Sequence, residues 1–327
     1  MRKMQIFFKL FAIFIFSKKI DFFQQGVYIT FYIVFGVCSM TFKEYWQSNI
    51  SDGKSGLRAV LFDVDGTVVS GRNPLPGAQE TLNFLDKSHT PYFFLTNDSH
   101  HSPAQKASLI AKAGITVDPQ KIISCSHAIT DYAVINDLQG AKVFIMGESG
   151  EPCFAEAAGL IPCRDLSELD DCSLVIAGEG KFDWHDTFQA VMNYFIRHPE
   201  RKLIVPNPDS YWPYGTSGRM GIGAGAQARF IAGLLKEMQI EIELVYLGKP
   251  HKPIFDCALK HLRQTFGLSD LQPQQVLMLG DALFADIAGA RNAGLQGALV
   301  MTGVTTREIL SATPAGERPE LIFESIG

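Results

Sequence analysis

Among the six cysteines of this 327-residue chain there is no C-x-x-C pair. Cys38, Cys125, Cys153, Cys163, Cys172 and Cys257 are too dispersed for a zinc site and too few for a disulfide scaffold, so a reducing cytoplasm suits them best. Basic runs with interleaved aromatics are also missing. A net charge of −5 argues against broad nucleic-acid binding, because a phosphate backbone needs a basic surface. Only 19 % of the residues are charged against 46 % hydrophobic, a globular balance that excludes disorder. Internal repeats and low-complexity segments are absent.

No uninterrupted apolar run reaches the roughly 20 residues that a helix needs to span a bilayer. The nearest approaches lie in residues 1–39, an apolar N-terminal extension. There "MQIFFKLFAIFIF" is broken by Lys9, and "GVYITFYIVFGVCS" runs for only 14 residues. Three readings are open for this extension: an upstream mis-start, a membrane anchor, or a signal peptide whose ending "FGVCSM" lacks a small-x-small cleavage site. The mis-start is preferred, since "MTFKEYWQSNI" from Met40 reads as an ordinary amphipathic beginning. A membrane becomes a partner only if the anchor is genuine.

From residue 57 onward, short apolar segments alternate with amphipathic ones. "RAVLFDVD", "PYFFLTND", "KVFIMG", "SLVIAGE", "KLIVPNPD", "ELVYLGKP", "QVLMLGD" and "GALVMTG" read as strands. Between them lie helical stretches such as "SPAQKASLIAKAG", with Ser102 as its cap and Pro103 at its first position. Strand–helix alternation predicts a parallel, doubly wound α/β sheet. Two glycine patterns are decoys. "DGKSG" at 52–56 would need a glycine where Ser48 stands to complete a phosphate-binding loop. "GIGAGA" at 221–226 is not preceded by a strand, so it carries little weight as a dinucleotide fingerprint.

The chemistry is concentrated in "VLFDVDGT", residues 60–67. In a strand, residues i and i+2 share a side, so Asp63 and Asp65 are neighbours at the carboxyl end, with Gly66 allowing a sharp turn. Like charges held that close call for a cation or a shared proton. Ligands of doubly wound sheets bind beyond the carboxyl ends of the strands, and three further strands end in suitable groups. These are Thr96 and Asn97, then Lys249, then Asp281 with Asp286. Each ending alone has a dull explanation as a turn, a solvated end or a helix cap. Together, three carboxylates, an ammonium and a hydroxyl are what Mg²⁺ and a phosphoryl group require.

With these residues in place, the chain resembles the haloacid dehalogenase (HAD) superfamily of aspartate-nucleophile phosphatases. "DVDGT", "FLTND", "GKP" and "GDALFAD" are similar to its four motifs, in order. The α/β block between the second and third motifs resembles the C2-type cap of the NagD-like or p-nitrophenylphosphatase-like branch. The expected organisation is a first core part over 40–125, a smaller inserted α/β cap over 126–220, and a second core part over 221–327. That branch usually reads T-N-N where this chain has Asp98, and an acid beside a phosphate pocket weakens anion binding unless it is paired or turned away.

The resemblance implies a Mg²⁺-dependent phosphoric monoester hydrolase, cytoplasmic, acting on a small phosphorylated metabolite: a sugar phosphate, nucleoside monophosphate, pyridoxal phosphate or aryl phosphate. Asp63 is then the nucleophile and Asp65 the general acid and base. Thr96 and Lys249 bind the transferring oxygens, with Asn97 and Asp98 lining the substrate, and Trp212 of the cap either offers its face to a planar leaving group or packs the cap onto the core. Asp63, the Asp65 carbonyl and Asp281 hold the metal, and Asp286 orients Lys249 or a metal-bound water. It also implies a homodimer built through the cap. Two alternatives stand beside it: a phosphomutase or phosphotransferase, and a phosphate-ligand sensor without turnover. The intact pair Asp63 and Asp65 disfavours the sensor.

Overall fold

The computed structural model describes residues 23–24, 27–28, 40–52, 56–214 and 219–327. Apart from a two-rung antiparallel ladder, Phe23–Gln24 with Val27–Tyr28, the expectations for residues 1–39 lie outside the described residues. Among the described residues no helix is long and apolar enough to cross a membrane.

The larger sheet has six parallel strands. In chain order they are β1 (Ala59–Phe62), β2 (Tyr92–Thr96) and β3 (Ile122–Ser124), then β11 (Val276–Gly280), β12 (Gln296–Val300) and β13 (Leu321–Phe323), and their spatial order is β13-β12-β11-β1-β2-β3. Every residue of β1, β2 and β11 is buried, which is why these strands read as unbroken apolar runs. Alternate side chains feed two separate cores. Val60, Phe62, Phe94, Leu277 and Leu279 pack on α1 (Phe42–Asp52) and α2 (Ala78–Lys87), whereas Leu61, Phe93, Leu95 and Met278 pack against α7 (Lys252–Phe266). The sheet is therefore covered on both faces, the doubly wound arrangement expected. Helix α1 contributes fully buried Phe42 and Trp46, so the stretch after Met40 is part of this core.

The smaller sheet is also parallel, built from β4 (Lys142–Met146), β5 (Ile161–Cys163), β6 (Leu174–Ala177), β7 (Lys202–Val205) and β10 (Glu243–Tyr246) in the spatial order β10-β7-β6-β4-β5. Its membership corrects the sequence reading, which returned the chain to the larger sheet at residue 221. After β7 an antiparallel hairpin, β8 (Tyr211–Tyr214) with β9 (Arg219–Ile222), leads into α6 (Ala224–Glu237). That helix lays Ala224, Ala228, Ile231 and Leu235 on the apolar cluster formed by Val175, Leu203 and α5 (Trp184–Arg197). Strand β10 then pairs with β7, Leu244 and Tyr246 facing this same cluster and Val245 the opposite one. "ELVY" is thus the edge strand of the smaller sheet, and the larger sheet resumes only at β11.

Helix α3 (Pro103–Lys112) opens as expected. Ser102 Oγ accepts from the Gln105 N–H at 3.4 Å, and Gln105 Oε1 in turn accepts from the Ser102 N–H at 2.8 Å. The expected helix over "FADIAGARNAG" is instead a π-helical turn, Leu283–Ala288, followed by Gly289–Asn292.

Candidate active site

Asp63 leaves β1 with its N–H donating to the Leu279 carbonyl at 2.8 Å, so it emerges directly beside the end of β11. Lys249 arrives from the other sheet, three residues beyond β10. Its Nζ stands 2.7 Å from Asp63 Oδ1 and 2.7 Å from Asp286 Oδ1, and it is 2 % exposed. Asp286 comes from the π-helical turn, where its Oδ2 accepts from the Ala282 N–H at 3.0 Å. Asp63, Asp281 and Asp286 each offer a carboxylate oxygen within 4.8 Å of the others, all three buried.

This cluster is electrostatically incomplete. Burial works against the Lys249 charge, but Asp286 and Asp63 outweigh it and hold the ammonium above the ordinary lysine range. One ammonium cannot balance three carboxylates. Burial pushes Asp63 well above the usual carboxyl range against the pull of Lys249, and the charges of Asp286 and Asp281 add to the rise. Burial and then Asp286 push Asp281 up to about 6, although the Val304 N–H donates to its Oδ2 at 2.6 Å. A divalent cation would relieve that repulsion, and hard carboxylate oxygens suit one.

The backbone is cut to fit Asp281. A Cβ placed on Gly66 or Gly303 would meet its Oδ2 closer than 3.0 Å, and Gly66 has a φ of +89°. The loop after β12 adds further ties. Thr302 Oγ1 donates to the Gly66 carbonyl at 2.6 Å, and Thr305 Oγ1 to the Asp281 carbonyl at 2.5 Å. Sequence reading missed this loop because it works through a backbone N–H, two hydroxyls and a missing Cβ.

Thr96 ends β2, 3 % exposed, its Oγ1 accepting from the Asp98 N–H at 3.1 Å. Asn97, expected to face a ligand, is engaged on both sides of its amide. Its Oδ1 accepts from the Lys249 N–H at 2.8 Å, while Nδ2 donates to the Lys249 carbonyl at 2.9 Å and to Asp209 Oδ2 at 3.1 Å. Its side chain thus serves the Lys249 backbone.

Asp98 is paired. Lys106 Nζ lies 3.0 Å from its Oδ2 and His101 Nδ1 also 3.0 Å, while the His100 and His101 N–H groups each donate to Oδ1 at 3.1 Å. Burial raises this carboxyl, yet Lys106 and His101 prevail and hold it well below the usual range. Asp65 reaches the same ammonium, with Oδ2 2.7 Å from Lys106 Nζ. Lys106 went unnoticed in the sequence. The available signal was a lysine at the register of Ile110 and Ala113, on the buried face of α3.

Trp212, on β8, is half-buried. Its cross-strand partner is Gly221, and the indole lies against that residue's bare Cα face. Tyr211 is 66 % exposed and so packs no core.

A doubly wound sheet that gathers two strand-end aspartates, a buried lysine and a further aspartate at its carboxyl edge, with a second α/β layer inserted, has the plan of an aspartate-based hydrolase. Family profiles agree: residues 60–161 match the haloacid dehalogenase-like hydrolases, and residues 246–327 match the HAD-hydrolase-like family. The chain belongs to the haloacid dehalogenase-like hydrolases and is an enzyme. An acid sugar phosphatase of Staphylococcus saprophyticus is 27 % identical over 252 residues, covering 77 % of this chain and 89 % of that protein. The p-nitrophenyl phosphatase of Archaeoglobus fulgidus superposes with a TM-score of 0.67 at 25 % identity, covering 83 % of this chain and 97 % of that one. NagD of Escherichia coli shares the fold, with a TM-score of 0.68 at 24 % identity over 83 % of this chain and 97 % of its own.

Proposed function

We propose that this protein is a Mg²⁺-dependent phosphatase that hydrolyses a small phosphorylated metabolite through an aspartyl-phosphate on Asp63. The observation that carries the reading is the Lys249 ammonium held between Asp63 and Asp286, with Asp281 beside them at the sheet's carboxyl edge. The similar proteins, an acid sugar phosphatase and a p-nitrophenyl phosphatase, support an ester of that size.

Asp63 and Asp281, with the Asp65 carbonyl, would hold Mg²⁺, which when bound supplies charge neutralisation for the phosphoryl oxygens. The Asp63 carboxylate attacks phosphorus in line, forming a new O–P bond as the ester oxygen leaves. Asp65 gives that oxygen its proton. The carboxylate so formed then takes a proton from water, whose oxygen attacks the same phosphorus and releases phosphate, restoring Asp63. Lys249 and Thr96 meet the charge on the transferring oxygens, the positioning and compensation on which phosphoryl transfer mostly depends. Asp286 fixes the Lys249 ammonium. A cytoplasmic setting goes with this reading, and the five described cysteines, all buried and unpaired, support it.

Phosphate release from a panel of metabolite phosphates with added Mg²⁺ is the test. Asp63→Asn should abolish release while the thermal melt stays wild-type-like, because the amide is neither a nucleophile nor an anionic ligand. Retention of more than a few per cent of the activity refutes the assignment.

A further inference from the structure

We propose that Lys106 is a positioning residue for the Asp65 carboxylate, with Asp98 as its anchor. The inference rests on the acid–base role given to Asp65 above, and adds what holds that group in place.

Lysine is almost never fully buried unless it is paired. Lys106 is 7 % exposed on a helix face that also buries Ala107 and Ile110, with its ammonium 2.7 Å from Asp65 Oδ2 and 3.0 Å from Asp98 Oδ2. The two carboxylates differ sharply in freedom. Asp98 is fixed from several sides, by the His100 and His101 N–H groups and by the His101 ring. The Asp65 side chain is 59 % exposed, and among the described residues Lys106 is its one side-chain partner. An exposed aspartate ordinarily moves among its rotamers. A short charge-assisted bond to an immobile ammonium confines it.

The geometry therefore runs in one direction, from a rigid anchor through a buried cation to the reacting group. The bond engages Oδ2 of Asp65 and leaves Oδ1 for the ester oxygen and later for water. A general acid must lie within about 2.6–3.2 Å of the atom that it protonates, and a displacement of about 1 Å costs on the order of 100-fold in rate. The plainer explanation is that Lys106 only neutralises Asp98, the acid found where this branch carries a second asparagine. Against it, the ammonium stands nearer to Asp65 than to Asp98, and His101 already shares the charge of Asp98.

Steady-state kinetics on a hexose phosphate and on 4-nitrophenyl phosphate, with Mg²⁺ present, decide between the two. Lys106→Met should lower kcat on the hexose phosphate by about 100-fold with KM changed less than about threefold. The loss should be smaller on 4-nitrophenyl phosphate, whose leaving group departs with little help from a proton. Lys106→Arg should recover part of the rate. Because Lys106→Met leaves Asp98 buried without its cation, the decisive protein is the double variant Asp98→Asn with Lys106→Met, in which both charges are gone. Continued low kcat in that folded double variant supports positioning, whereas return to the wild-type rate overturns it. In an Asp65→Asn background, Lys106→Met should cost nothing further, and a second full loss there also overturns the proposal. Activity retained by Asp65→Asn alone refutes the acid–base role itself, so the two failures are distinguishable.

Discussion

Glu179 is a carboxylate through which pH should act on stability near neutrality. It lies just beyond β6, 6 % exposed, and its Oε1 accepts from Asn207 Nδ2 at 2.6 Å and from the Ala224 N–H at 3.0 Å. One buried oxygen thus ties the end of β7 to the start of α6. Burial nonetheless pushes its carboxyl up from 4.5 to about 7. The folded chain therefore holds this proton more tightly than the unfolded chain does. The resulting stabilisation is complete below pH 4.5 and is lost as the pH rises through 7. At about 1.4 kcal/mol per unit, the change amounts to about 3 kcal/mol. Glu179→Gln keeps an oxygen for both donors and has no charge to bury. Urea unfolding of both proteins at pH 5 and pH 8, in the same metal-free buffer, measures the effect. Between those pH values the wild type should lose about 2.5 kcal/mol more than the variant, and the variant should be the more stable protein at pH 8. His127, which burial pulls down to about 4, titrates with the opposite trend but is present in both chains and cancels in the difference. Parallel pH dependences would mean that Glu179 stays ionised and that the reasoning is wrong.

Three other outcomes follow from the site. Exhaustive chelation should silence phosphate release, Mg²⁺ should restore it and Ca²⁺ should not, since calcium takes more ligands in looser geometry; full activity in the chelated enzyme contradicts this. Gly303→Ala should lower kcat by at least about tenfold with only a small change in thermal melt, because the new Cβ displaces the Asp281 carboxylate; wild-type kcat would show that Asp281 needs no fixed position. Trp212→Ala should raise KM up to about tenfold for an aryl phosphate while sparing glycerol phosphate, if the indole offers a face to a flat leaving group. An equal loss on both substrates together with a lower melting temperature assigns the ring to packing on Gly221 instead.

Much of this was readable from local pattern. The strands of the larger sheet are buried on both faces, so "AVLF", "YFFLT" and "VLMLG" are continuous apolar runs, and a break into acids at their carboxyl ends is conspicuous. Strand β10 was misplaced because "ELVY" has the same local propensity in either sheet; its partner, β7, lies some forty residues away, and only the packing of α6 decides between them. Asp98 was legible as a misfit but not as a pair, since Lys106 lies a full helix entry away on α3. The Gly66–Gly303 cradle was illegible for a different reason. A residue that acts by lacking a side chain leaves no chemical signature in the sequence.

The misplaced strand changes how the site is held together. Lys249 does not end a strand of the larger sheet, but is joined to the smaller one through Leu247 and Gly248. Its ammonium must nevertheless stay 2.7 Å from Asp63, which belongs to the larger sheet. Any slip between the two sheets would be felt first at that contact. Asn97 resists it by gripping the Lys249 backbone at both its N–H and its carbonyl, and its second amide hydrogen reaches Asp209 in the segment leading to the hairpin. Aspartate could accept from the Lys249 N–H but could not donate to its carbonyl, and threonine is too short to bridge both. Asparagine beside Thr96 is therefore a two-way clamp across the seam, which fixes the lysine relative to Asp63 before any substrate arrives.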